Sequence, residues 1–284
     1  MEAPVNLLFS DFGLYVKTFE VYIERSTQHQ CTKKFIDENL SDLVTSIGKK
    51  GASCLNVLGL GSGSGEMDLA ILSKIQSQHP GLPIHNEVVE PLPQQISKYK
   101  DLVKEKGQGL NISFIWNQLS SEEYVKQNKE RKESKKFDFI HMIQMVYYVE
   151  SIHDTIKYFH SLLETNGKLL IIYNPDYTRF RSLSFELAGD HFVPDVQKVL
   201  DELRMKYQIC KLSFGMDVTE CFIEGNENGE HLLDFITHIA HFKKSVSADQ
   251  KDAVLQQIRQ PQFIKEENGQ IILNRIMCAI VVDP

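Results

Sequence analysis

The 284-residue chain has little from which to build a covalent or metal framework. Its five cysteines, Cys31, Cys54, Cys210, Cys221 and Cys278, are scattered, and no Cys-x-x-Cys pair occurs. An odd, dispersed set argues against a disulfide scaffold and against a zinc site, and it suits a reducing compartment. No run reaches the ~18 apolar residues that a bilayer span needs. The opening MEAPVNLLFS lacks the basic start and apolar stretch of a secretory leader. Basic residues are outnumbered, 31 Lys+Arg against 38 Asp+Glu for a net charge of −7, so bulk attraction to nucleic acid is not expected. The local basic run Lys126–Lys136 has no interleaved aromatics and reads as solvated surface. No internal repeat or low-complexity linker is present. These absences leave a soluble cytoplasmic protein, monomeric by default, with no nucleic-acid or membrane partner.

What is present is alternation. The spacing predicts a helix over about 12–23, where Phe12, Tyr15, Phe19 and Ile23 recur at helical intervals behind a cap at Ser10 or Asp11. A second helix is expected over Cys31–Ile47. Strands are expected at Leu55–Leu60, Ile84–Val89, Ile112–Trp116, Phe137–Ile143, Lys168–Tyr173, Gln208–Phe214 and Ile271–Val282. Helices fall at Glu66–Gln78, Leu92–Lys106, from about Ser151 to a stop at Asn166-Gly167, at Val193–Tyr207 and at Glu230–Phe242. Alternating strands and helices with nearly continuous apolar strands mean an α/β fold. A doubly wound, mostly parallel seven-stranded sheet of Rossmann-like type is expected, with helices on both faces. The expectation is one domain over residues 1–284, with 1–48 and about 215–265 forming a part that covers the site.

The most informative stretch is LNVLGLGSGSGEMDLAIL, Leu55–Leu72, where a strand runs into glycines at 59, 61, 63 and 65. Such a turn lets a ligand approach the backbone and presents amide N–H groups at a helix start. A phosphate-binding loop would follow it with Lys-Ser/Thr, but Gly65 is followed by Glu66. A Gly-x-Gly-x-x-Gly fingerprint also fits badly, since the sixth position is Ser64 or Glu66. The remaining pattern is Gly-x-Gly-x-Gly with an acid, Glu90, ending the second strand, where a carboxylate can accept both hydroxyls of a ribose. Glu66 beside the turn favours a ligand without phosphates.

The turn with Glu90 resembles the doubly wound S-adenosylmethionine (SAM) methyltransferases. STQHQC (Ser26–Cys31), EVVEP (Glu87–Pro91), the FIHMIQM and YYV pieces of Phe139–Val149, and GNENG (Gly225–Gly229) together resemble the histamine N-methyltransferase family over almost the whole chain. The segment Asn174–Pro194 looks shorter than in that family. The resemblance implies SAM as cofactor and an imidazole nitrogen of a small molecule as acceptor. It places SAM contacts on Gly61, Glu90, Gln95, Ser121 and Ile143. Gln95 would reach the ribose or the amino-acid end, Ser121 an adenine edge, and Ile143 the adenine or methionine part.

On the substrate side this chain departs from the family. The family's substrate-binding acid in the Ser-Thr-Glu-His-Gln-Cys motif is replaced by Gln28, and Arg275 takes the place of an asparagine on the last strand. One negative charge is lost and one positive charge gained. At ~4 Å and a dielectric near ~20, each such change is worth about 4 kcal/mol to a charged substrate before screening. The change disfavours the cationic amine of histamine and favours a carboxylate, which arginine grips with two hydrogen bonds. The sequence therefore looks like the carnosine-methylating branch of the family, forming anserine, with histamine as the alternative. The other reading of Arg275 is a strand-end side chain pointing to solvent. Gln28 and Gln144 are candidates to orient the ring, and Tyr147, Tyr148 and Phe235 to wall it. No obligatory catalytic residue is expected, because imidazole is already a neutral nucleophile near neutral pH. His238 and His241 lack a third ligand, so no metal is expected. Rival readings are a SAM-binding pseudoenzyme or regulatory partner, and an NAD-dependent oxidoreductase on a similar sheet.

Overall fold

The computed structural model describes residues 6–48, 51–131, 135–175 and 196–284. The segment Asn174–Pro194, read above as altered, falls almost entirely outside them. In chain order the elements are α1 (Phe12–Arg25), α2 (Gln28–Val44), β1 (Leu55–Leu60), α3 (Glu66–Gln78), β2 (Ile84–Val89), α4 (Pro93–Lys106), β3 (Ile112–Asn117) and α5 (Ser121–Arg131). There follow β4 (Phe137–Ile143), α6 (Ile152–Ser161), β5 (Leu163–Tyr173), α7 (Val196–Glu202) and β6 (Tyr207–Asp217). The last are α8 (Glu227–Thr237), α9 (Phe242–Ser245), α10 (Ala248–Ile258), β7 (Ile264–Glu267) and β8 (Gln270–Val282). Among the described residues, no helix is long and apolar enough to cross a membrane.

The sheet runs β3-β2-β1-β4-β5-β8-β6, with β7 paired to β8 as an eighth strand beyond the seven expected. The pairs from β3 to β5 are parallel, and β8 is antiparallel to β5. This is the doubly wound arrangement expected from the alternation. The order steps from β3 down to β1 and then jumps to β4. The crossovers on either side of the β1–β4 pair therefore diverge, which opens a crevice outside the carboxyl ends of those two strands. The strands are built for burial: Leu55, Val57, Leu58, Phe139, Ile140 and Met142 are at most 1% exposed. Fully burying a side chain of this kind is worth about 1.5–3 kcal/mol, so the central strands carry much of the fold's stability.

The chain divides into two compact units. Among the described residues, one gathers 6–31, 174–175 and 212–277; the other gathers those of 32–173, 196–211 and 278–284. Each has its own core. In the second unit Leu58, Ile140, Ile156, Phe159 and Ile171 pack together, and in the first Leu14, Tyr22, Leu232, Phe235 and Leu273 do so.

Several boundaries differ from the sequence reading. Helix α6 is capped by Ser151, whose hydroxyl accepts the Asp154 N–H at 3.2 Å, but it ends at Ser161, and Asn166-Gly167 lies inside β5. There β5 advances five residues, Leu163 to Lys168, while β4 advances two, Phe137 to Phe139. The Asn-Gly pair belongs to this bulge, where a Cβ on Gly167 would sit 2.9 Å from the Phe137 carbonyl. In α1 the buried residues are Leu14, Thr18 and Tyr22, whereas Phe12 is 48% and Phe19 37% exposed. The expected cap at Asp11 is present, accepting the Leu14 N–H at 3.0 Å. The helix expected over Val193–Tyr207 is described over Val196–Glu202, and Arg204 follows it with φ 55°. The helix expected at Glu230–Phe242 spans Glu227–Thr237. It is closed by His238 at φ 58°, and His241 at φ 52° opens α9, so these two histidines do not share a helix. Helix α10, with a capping box between Ser247 and Gln250, and the β7–β8 hairpin were not anticipated.

The GNENG motif acquires a physical reading. Gly225 turns the chain at φ 73°, the Asn226 side chain caps α8 by accepting the Gly229 N–H at 2.9 Å, and Gly229 meets the Thr219–Phe222 turn. A Cβ at Gly229 would lie 2.0 Å from the Glu220 carbonyl oxygen. Gly229→Ala is therefore expected to cost about 2–3 kcal/mol of unfolding free energy through overpacking against rigid backbone, measurable as a lower urea midpoint.

Candidate functional site

In the second unit the turn after β1 is shaped by its neighbours. Gly61 and Gly65 have φ of 63° and 81°, values that favour glycine. The Gly61 N–H donates to the Val89 carbonyl at 2.9 Å, tying the β1 tip to the β2 tip. A Cβ on Gly61 would meet the Met145 Cβ at 2.6 Å, so the loop after β4 closes directly on the turn.

Glu90 joins these parts. Its backbone N–H donates to the Asn117 carbonyl at 3.1 Å, continuing β2 against β3. Its side chain is 5% exposed. One carboxylate oxygen accepts the Gly63 N–H at 2.9 Å and the other accepts the Leu92 N–H at 3.0 Å. Each oxygen keeps a further lone-pair direction, enough to receive two hydroxyl donors. Burial raises the Glu90 carboxyl above the ordinary carboxylate range; the Leu92 and Gly63 N–H groups pull the other way and Asp68 adds to the rise.

The other SAM candidates lie on the same rim. Ile143 ends β4, half-buried, and Gln95 is half-buried in the first turn of α4, next after Glu90. Ser121 opens α5 beyond β3; it is 9% exposed and its hydroxyl donates to Glu122 at 3.1 Å. Gln144 follows Ile143 with φ 54°, a left-handed conformation unusual for a residue with a side chain. Its N–H donates to the Ile172 carbonyl at 2.7 Å and its side-chain oxygen accepts the Tyr147 hydroxyl at 3.0 Å. Tyr147 and Tyr148 meet edge to face at 6.1 Å, and Tyr148 is 49% exposed rather than part of the core.

In the first unit Gln28, Phe235 and Arg275 gather around Tyr22, a residue the sequence reading passed over. The Tyr22 hydroxyl donates to the Gln28 side-chain oxygen. Its ring stacks on Phe235 at 4.3 Å, with Phe19 at 5.9 Å and Tyr15 at 6.4 Å from Phe235. Burial raises the Tyr22 phenol, and the Arg275 guanidinium partly offsets this, so a positive charge stands close to the phenol. Arg275 is 6% exposed, which corrects the solvent-pointing alternative. Tyr22 lies three residues after Phe19 and seven after Tyr15, a spacing that would have placed it with them. Arg25, ion-paired with Glu220 at 2.8 Å, anchors the end of α1 beside this cluster.

A methyltransferase-domain family model matches residues 32–205. The histamine N-methyltransferase of Rattus norvegicus is 41% identical over 293 aligned positions, covering 100% of this chain and 99% of the relative. That of Bos taurus is 39% identical, with 100% of both chains covered. Among solved structures, the YcgJ protein from Bacillus subtilis superposes with a TM-score of 0.51 at 14% identity, covering 86% of this chain and 97% of its own, and supports the fold.

Because the Glu90 carboxyl is raised in the folded state, that state holds its proton more tightly than the unfolded chain does. The contribution of Glu90 to stability is then greatest at low pH and is lost as pH rises through the raised carboxyl pKa. Glu90→Gln should gain stability relative to the parent on raising pH through that range, read from paired urea titrations. A gap that stays constant with pH would contradict the assignment.

Proposed function

This chain belongs to the histamine N-methyltransferase family of methyltransferases, and from that premise we propose that it transfers a methyl group from SAM to an imidazole nitrogen of a small molecule. The observation that carries this reading is the Glu90 carboxylate, which ties the glycine turn to the start of α4 and still offers two acceptor directions where a ribose would lie. The residues fit SAM: Gly61 gives the turn its left-handed bend, Glu90 would take the ribose hydroxyls, and Gln95, Ser121 and Ile143 line the same rim. Bound SAM supplies an electrophilic methyl on a sulfonium.

The chain's own residues have a positioning task. Imidazole, with an unperturbed pKa near ~6.5, is mostly neutral near pH 7 and needs no strong base. The acceptor nitrogen must be held ~3–3.5 Å from the methyl carbon and in line with it. Gln144, held by the Tyr147 hydroxyl, is set to orient a ring nitrogen, and the Tyr147 and Tyr148 rings suit a flat acceptor and a sulfonium. The nitrogen that these residues hold would take the methyl from bound SAM, whose sulfur keeps the S–C electron pair, and the ring proton would leave to water.

Histamine is the first acceptor to consider, because the full-length relatives carry that name. This reverses the order reached from sequence alone. A second reading, an imidazole acceptor bearing a carboxylate such as carnosine, is favoured by one observation. A buried arginine stands beside Tyr22, and Tyr22 holds Gln28 where the family has an acid.

The test is a turnover panel with labelled SAM and histamine, carnosine and histidine. Transfer to histamine with the highest kcat/KM supports the first reading, and a preference for carnosine supports the second. Tight SAM binding with no turnover on any of the three would favour a regulatory SAM-binding role instead. Glu90→Ala should raise the SAM KM by at least about tenfold while leaving the acceptor KM near the parent value, since both the free acceptor directions and the turn that Glu90 holds serve the cofactor side in this reading. Arg275→Asn should raise the carnosine KM by about tenfold or more and leave SAM affinity unchanged, consistent with loss of a charge-assisted pair.

A further inference from the structure

Beneath the glycine turn lies a set of polar side chains that the methyl-transfer reading does not use. Ser62 belongs to the turn, Asp68 to α3, Asn86 to β2, Tyr99 to α4 and His141 to β4. Their polar ends, Ser62 Oγ, Asp68 Oδ2, both amide atoms of Asn86, Tyr99 Oη and His141 Nε2, are shut off from solvent and make no hydrogen bond of ordinary geometry. They are nonetheless neighbours. Asp68 Oδ1 lies 3.7 Å from His141 Nδ1, the Asp68 carboxyl faces the Ser62 and Tyr99 hydroxyls, and Tyr99 faces Asn86.

The set explains Gly59. This glycine sits inside β1, where its backbone does not require glycine, yet a Cβ there would lie 2.5 Å from Asp68 Oδ2, 2.7 Å from Ser62 Oγ and 2.8 Å from His141 Cε1. The side-chain volume at position 59 is given over to the cluster. Tyr99 makes a second such contact: a Cβ on Gly65 would fall 2.0 Å from its ring. The elements joined here are those that carry Gly61, Glu90, Gln95 and Ile143.

Burying this much loosely paired polarity costs stability that an apolar filling would recover. Burial pushes the Asp68 carboxyl up and the His141 imidazole down, so both tend to the uncharged form and the cost is reduced without being removed. Departures of this kind from a well-satisfied core are expected where function requires them. We propose that Asp68 and His141, with Ser62 and Tyr99, are positioning residues that hold the glycine turn and α4 in the geometry that binds the cofactor.

This inference rests on the SAM reading, and calorimetric SAM binding to the full chain separates the two. A parent that binds no SAM overturns the functional reading and this inference with it. With a SAM-binding parent, Gly59→Ala and Asp68→Leu should each weaken SAM about tenfold, and Asp68→Asn should recover most of the affinity lost in Asp68→Leu. Values of kcat at saturating SAM, and the acceptor KM, should stay within about threefold of the parent, the pattern of lost cofactor positioning. Should the core variants fail to fold, Ser62→Ala, at a half-buried turn position, should still weaken SAM at an unchanged melting temperature. Parent-like SAM affinity in the folded variants, including any whose melting temperature falls, would overturn the proposal and leave the cluster a purely structural role.

Discussion

The fold's functional end depends on one carboxylate accepting two backbone N–H groups. Glu90 binds Gly63 at 2.9 Å and Leu92 at 3.0 Å, joining the β1 turn to the start of α4 at the edge of the crevice. The glycines cannot hold this shape alone, because a turn with Gly61, Gly63 and Gly65 all at positive φ has lost little of its freedom to sequence. A hydrogen bond from an amide to a buried carboxylate is stronger than one between neutral groups, so it selects one conformation from many. The strand order makes the selection useful. With β1 and β4 adjacent and their connections diverging, the turn stands at the carboxyl ends of these two strands, the place where open α/β sheets bind ligands.

Much of this half was legible in the sequence, and for an identifiable reason. Strands β1, β2 and β4 begin and end on apolar residues and run into Gly61, Glu90 and Gln144, so their ends coincide with those read from sequence. The glycine turn and Glu90 were found because local chain chemistry marks them. What escaped was written in caps and turns rather than in periodicity. Asn226 caps α8, which begins three residues before the start read from sequence, Ser247 and Gln250 start α10, and Asn268-Gly269, both at positive φ, makes the β7–β8 hairpin. In α1 the aromatic spacing drew attention to Phe12 and Phe19, while the buried side of the helix is Leu14, Thr18 and Tyr22. Helical spacing locates a helix without saying which of its faces is buried, and exposed aromatics such as Phe12 and Phe19 are ordinary where a surface has another use.

The polar clusters were the least legible, because topology alone assembles them. Asp68 and His141 are 73 positions apart, counted directly from their numbers, and neither belongs to a motif whose spacing signals a partner. Tyr22, Gln28 and Arg275 likewise come from α1, α2 and β8. Reading a hydrophobic pattern finds elements; it does not find which buried polar residues the elements bring face to face. The replacement of an acid by Gln28 was visible in sequence, but its weight depended on Arg275 being buried, which only coordinates decide.

That burial bears on how this chain departs from its relatives. A surface arginine would be screened and its replacement of an asparagine would matter little. At 6% exposure a guanidinium keeps most of its field, and Tyr22 registers it: the arginine pulls back against the rise that burial imposes on the phenol. The Tyr22 hydroxyl donates to Gln28, so the phenol, the amide and the guanidinium form one buried group. Under the proposed reading, a site for a cationic amine would gain from an acid and lose from a buried cation, so Gln28 and Arg275 would act in one direction. In the carboxylate-acceptor reading proposed above, acceptor choice would turn on these two buried positions, while Glu90 keeps its place on the glycine turn.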